Sequence, residues 1–132
     1  MARKKSTTLT EAELRLMDVV WEKGKSTVAE VAQALPARLG LAYNTVLTTM
    51  RILEEKGYVR HSKPARGRAF IYRPLVGRAE ATRSAVRELS RRFFGQSHEA
   101  LVLNILKDQE LNERERQRIR DLLDKLDKER ES

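Results

Sequence analysis

Asn44, Thr45, Thr48, Arg51 and Ile52 fall within one short stretch, AYNTVLTTMRILEEKG from Ala42 to Gly57. On a helical wheel of 100° per residue, Val46, Met50 and Leu53 gather on one face, while those five side chains and Glu55 lie away from it, Arg51 at the flank. A surface helix usually carries Glu and Lys there. Short hydroxyl and amide side chains instead let a helix approach a groove floor closely. There Asn addresses adenine, Arg addresses guanine, and the methyls of Thr and Ile meet the thymine methyl. The chemistry on offer is therefore the reading of base edges. A solvated helix that is merely rich in Thr would present the same residues, and the helix alone leaves that alternative open.

Base reading requires a scaffold that holds the helix out. Thr10 and Glu13 have the spacing of a capping box, with Leu9 and Leu14 at the staple positions. Leu14, Met17, Val20 and Trp21 follow at helical spacing, so the first helix is expected over residues 11–23, closed by Gly24. Thr27 and Glu30 form a second capping box ahead of Val28, Val31, Ala32 and Leu35, in a short helix that Pro36 ends. Three helices with short connections, the last two separated by a turn, are the layout of a helix-turn-helix unit.

After Gly57 the apolar period changes from 3.6 toward 2. Residues 58–63 and 68–73 alternate, with Phe70 and Tyr72 on a shared, buried face, and Pro64–Gly67 reads as the turn of a β-hairpin. Arg60, His61, Lys63, Arg66, Arg68 and Arg73 lie on it, with no acid between Lys56 and Arg73. Basic side chains on a hairpin beside a groove-inserted helix suit flanking phosphates, which position a protein without reading sequence. Arg60, Lys63, Arg66 and Arg68 are the candidates for that role. A hairpin charged only for solubility is the other reading. Helix-turn-helix plus hairpin is a winged helix.

The charge distribution agrees. The formal net charge is +8, and residues 1–76 hold 14 Lys+Arg against 7 Asp+Glu, whereas residues 77–132 hold 13 against 12. The polyanion-facing part is the first half. In the second half, a polar helix is expected over residues 78–94, then a helix capped by Ser97, then one opened by a third capping box, Asn112 and Glu115. Leu89, Phe93, Leu101, Ile105, Ile119, Leu122 and Leu126 are more apolar surface than these helices can hide alone, and a core shared by two chains would cover it. A helical hairpin folded back on the first domain is the alternative.

Absent residues narrow the field. The chain has no cysteine, which excludes disulfides, a zinc finger and a thiolate copper site. Its apolar runs are too short to cross a membrane, and the basic start MARKKSTT is not followed by a signal-peptide core. A cytoplasmic protein without membrane insertion is expected, with no metal and no cofactor. His61 and His98, the two histidines, fall in different domains without a neighbouring nucleophile, and no P-loop, HExxH or GxSxG occurs, so an enzyme is not expected.

The segments LTEAELRLMDVVWEKGKSTVAEVAQALP, AYNTVLTTMRILEEKGYVRH, GRAFIYRPLV and ALVLNILKD, in that order and spacing, resemble the penicillinase-repressor family, the BlaI, MecI and CopY group. The resemblance runs from about Leu9 to Leu126. It implies a mainly α fold with a small β-hairpin: a winged helix-turn-helix domain over residues 9–76 behind a basic arm, residues 1–8, and a helical dimerisation domain over 77–132. It also implies repression by a homodimer on an inverted-repeat operator in double-stranded DNA, with the protein on the bacterial nucleoid when bound. By position the family's reading helix falls on Tyr43, Asn44, Thr45, Thr48 and Arg51, and its wing on Lys63–Arg68. Tyr43, nearer the core side of the wheel, is assigned to a phosphate.

In the antibiotic-sensing branch a membrane-bound sensor protease system triggers cleavage in the segment matching LVLNIL, here between Asn104 and Ile105, although Ile105 stands where the best-known members carry an aromatic residue. A buried dimer-core segment is the other reading of those residues. The copper-sensing route needs a Cys-x-Cys pair that is not present. Outside this family, the competing function is a basic winged-helix module that binds RNA by shape, or nucleic acid nonspecifically.

Overall fold

The computed structural model describes residues 8–108 and 110–131. Apart from Thr8, the expected basic arm lies outside the described residues. Three capping boxes set the starts of helices as expected. Thr10 and Glu13 exchange bonds of 2.8 and 3.1 Å at α1, Glu11–Lys23. Thr27 and Glu30 do the same at α2, Val28–Ala34, and Asn112 and Glu115 at α6, Glu113–Glu131. In each, two backbone donors that the helix leaves unpaired are satisfied reciprocally. Between α2 and α3, Tyr43–Glu55, runs a single 3-10 turn over Ala37–Leu39. Then come β1, Val59–Ser62, β2, Ile71–Pro74, α4, Arg78–Phe94, and α5, His98–Leu106.

The chain divides into two units, to Glu88 and from Leu89. Ala81 on α4 is buried in the core of the first. That core joins Leu16, Met17 and Val20 of α1, Val28 and Val31 of α2, Val46, Met50 and Leu53 of α3, and Val59 and Tyr72 of the hairpin. The α3 face chosen by the wheel is the buried one. On α1 the stripe is shifted: Leu16 is buried, Leu14 is exposed and Trp21 only half-buried. Trp21 is anchored instead by its indole N–H, which donates to the Val76 carbonyl at 2.8 Å.

The hairpin departs from expectation in two ways. Its strands pair antiparallel from Val59 with Pro74 to Ser62 with Ile71. The connection therefore covers residues 63–70 rather than a tight Pro64–Gly67 turn, and Phe70 falls outside the pleat that buries Tyr72. Phe70 is 45% exposed where a buried residue was expected. Beyond the pair, Ser26 and Tyr72 exchange backbone bonds of 3.0 and 2.8 Å, a one-residue third strand that ties the hairpin to the turn before α2.

In the second unit, α5 opens with Ser97 accepting from the Ala100 amide at 3.1 Å. Leu101 is buried there, Ile119 half-buried, and Leu89, Phe93, Ile105, Leu122 and Leu126 are exposed, Phe93 by 68%. Asn104 is exposed beside Ile105 on α5. Among the described residues no helix is long and apolar enough to cross a membrane.

Candidate nucleic-acid interface

The helix that could read bases is held from beneath by its apolar stripe and from one end by an ion pair. Lys56, the C-cap residue of α3, places Nζ 2.7 Å from the Glu13 carboxylate at the start of α1. Burial opposes ionisation of Glu13, but the Lys56 ammonium and the Thr10 amide outweigh it and hold the carboxyl below its ordinary value. Glu13 therefore caps one helix and fastens another. At the far end Ala42 caps α3 without a side-chain bond, and Tyr43 begins the helix half exposed.

With the stripe turned inward, Asn44, Thr45, Thr48, Arg51 and Ile52 are all exposed. The polar side chains of Asn44, Thr45, Thr48 and Arg51 make no hydrogen bond or ion pair among the described residues. Thr49 does not join them: its hydroxyl donates to the Thr45 carbonyl at 2.8 Å, one turn back. Four unengaged donors and acceptors on one projecting face, with an isoleucine methyl beside them, constitute a surface able to make base-edge contacts without first breaking internal ones.

The hairpin beside it adds cationic groups. Arg60, Lys63, Arg66 and Arg68 are exposed, and none of their side chains is paired among the described residues. Arg73 is engaged, donating to Ser62 Oγ across the strands at 3.1 Å. His61 is engaged too, its Nδ1 2.7 Å from Glu54 on α3. The buried tyrosines are kept neutral. Burial first, then the Glu54 charge, raises the Tyr72 phenol against an opposing Arg51, and burial likewise raises that of Tyr58.

Residue patterns had not revealed the Glu13–Lys56 pair, the His61–Glu54 contact or the Ser26–Tyr72 bridge. Each joins residues whose local roles are complete without the other, so no spacing signals it. Among the described residues no group of three His, Cys, Asp or Glu is placed to hold a metal ion.

Comparison with known proteins agrees in family. The chain is 28% identical over 109 residues to the penicillinase repressor of Bacillus licheniformis, covering 83% of this chain and 84% of that protein. It is 39% identical over 77 residues to the transcriptional regulator BlaI of Mycobacterium tuberculosis, covering 58% of this chain and 54% of the relative. Among solved structures it is similar to the solution structure of the DNA binding domain of the repressor BlaI, at a TM-score of 0.49 and 27% identity, over 58% of this chain and 93% of that one. The family model for the penicillinase repressor matches residues 9–125, nearly the whole chain, and the chain belongs to that family.

Proposed function

We propose that this protein is a sequence-specific transcriptional repressor that binds an inverted-repeat DNA operator as a homodimer. Residues 42–56 enter the major groove, with Asn44, Thr45, Thr48, Arg51 and Ile52 reading bases. Hairpin residues 58–73 lie along the backbone, where Arg60, Lys63, Arg66 and Arg68 meet phosphates and Tyr43 a further one. The observation that carries this reading is the exposed and unengaged polar face of α3. Two-fold symmetry would set two such faces on half-sites about one helical turn, or a multiple, apart.

Dimerisation is supported by the second unit, which leaves Leu89, Phe93, Ile105, Leu122 and Leu126 in solvent in the single chain. Leu101, the buried member of the set, lies on α5 beside them in the chain. Release by a sensor protease cutting between Asn104 and Ile105 fits their exposure on α5, although the bond lies within a helix and requires local unwinding before it can be cut.

Selection of duplexes from a random pool at about physiological salt, where purely electrostatic binding is weak, tests the proposal. An enriched inverted repeat supports it, and a pool that stays random defeats it. One observation gives the RNA-binding alternative a hearing: Phe70 is exposed rather than buried and could stack on a base. Its ring is already packed against His61, with centroids 4.6 Å apart, so competition between the selected duplex and RNA of equal length should favour DNA.

A further inference from the structure

We propose that His61 and Glu54 form a positioning clamp that fixes the wing relative to the recognition helix, so that phosphate contacts and base contacts are made together. The inference rests on the DNA-binding reading above.

His61 stands where three elements meet. Its Nδ1 lies 2.7 and 2.8 Å from the two carboxylate oxygens of Glu54, in the last turn of α3, and its backbone N–H points to one of them at 3.4 Å. Its ring packs on Phe70 at 4.6 Å and on Tyr72 at 5.6 Å between centroids. Tyr72 is its partner across the strands and is bound in turn to Ser26. Phe70 is the last residue of the loop that carries Lys63, Arg66 and Arg68. One side chain thus ties the end of the reading helix to both roots of that loop.

The Ser26–Tyr72 bridge and the burial of Val59 and Tyr72 seat the base of the hairpin, but its strands are only four residues each and short hairpins are marginal in water, so a tie from His61 to α3 steadies the loop beyond them. Without it the cations at the tip would have to be ordered when DNA binds, which weakens binding. The pair itself is partly exposed, with side chains 40% and 30% accessible. Such pairs contribute little to folding. Removing either partner should therefore leave stability nearly unchanged and show in DNA binding instead.

The test is a double-mutant cycle on the full chain, Glu54→Ala, His61→Ala and both together, read by anisotropy on the selected operator over a range of salt. Each single variant should bind about 10-fold more weakly, equivalent to about 1.4 kcal/mol, and the double variant no more weakly than either single one. The salt slope should become shallower by about 1 to 2 as wing phosphates are lost. The urea midpoint should hold, and the ranking of base substitutions in the operator should not change. His61→Phe keeps an aromatic ring against Phe70 but cannot bond Glu54, and should weaken binding as Glu54→Ala does.

Additive losses, no loss, or His61→Phe binding like the parent would overturn the clamp. So would tighter binding by Glu54→Ala, which would make His61 a mask over a repelling charge. If the parent protein prefers no duplex sequence, the DNA-binding reading fails first, and that result is visible before any variant is made.

Discussion

Replacing Glu13 should loosen the seat of the recognition helix by an amount the structure allows one to work out. Its carboxylate is 7% accessible, accepts from the Thr10 amide at 2.8 Å, and faces Lys56 Nζ at 2.7 Å. Losing one partner of a buried ion pair costs about 3 to 5 kcal/mol, because the other charge is stranded. Lys56 is 20% accessible and also reaches the Thr8 carbonyl at 3.4 Å, so about 2 kcal/mol is a better figure here. The lost reciprocal cap adds about 1 kcal/mol. Glu13→Ala should thus cost about 3 kcal/mol, and Glu13→Gln, which can still accept from the Thr10 amide, about 2.

The chain's single tryptophan, Trp21, sits in the same unit and reports its unfolding in urea. With a slope of about 2 kcal/mol per M, the midpoint should fall by about 1.5 M for Glu13→Ala. The pH dependence has a definite sign. The folded carboxyl titrates below its ordinary value of 4.5, so its stabilisation is fully present above that value and is lost as pH falls through the lower, folded one. In Glu13→Ala that part of the acid dependence should disappear. A shift smaller than about 0.5 kcal/mol, the usual range of a surface change, or an unaltered acid profile, would refute the idea that this pair seats α3.

Asn44→Ala and Thr48→Ala should each relax preference at one operator position by about 1 to 3 kcal/mol, measured by binding to single-base operator variants; uniform weakening on all sequences would count against base reading. Arg66→Ala should weaken every duplex alike and lower the salt slope by about 1, and a changed preferred sequence would mean that the wing reads bases. Leu122→Asp places a charge on the exposed apolar face of α6 and should yield monomers with weak half-site binding. Sedimentation of that variant as a dimer would remove this face from the interface.

Local patterns carried much of this protein. Capping boxes at Thr10, Thr27 and Asn112 announced helix starts because both partners lie within one turn, and the Val46, Met50 and Leu53 stripe oriented α3 because a helix has one period. From that orientation the candidate reading face, Asn44 to Ile52, followed without coordinates. What tertiary structure alone decided were contacts between residues far apart in the chain. Leu16 takes the place in the core expected for Leu14 because the packing of α1 against its neighbours selects the stripe. Phe70 is exposed because pairing begins only at Ile71, a register that alternation cannot specify at a strand end. Glu13 meets Lys56 across 43 positions and Ser26 meets Tyr72, and in each case the local sequence is complete without the partner. Periodicity determines which way a side chain points along its own element, and only the packed fold determines what it meets there.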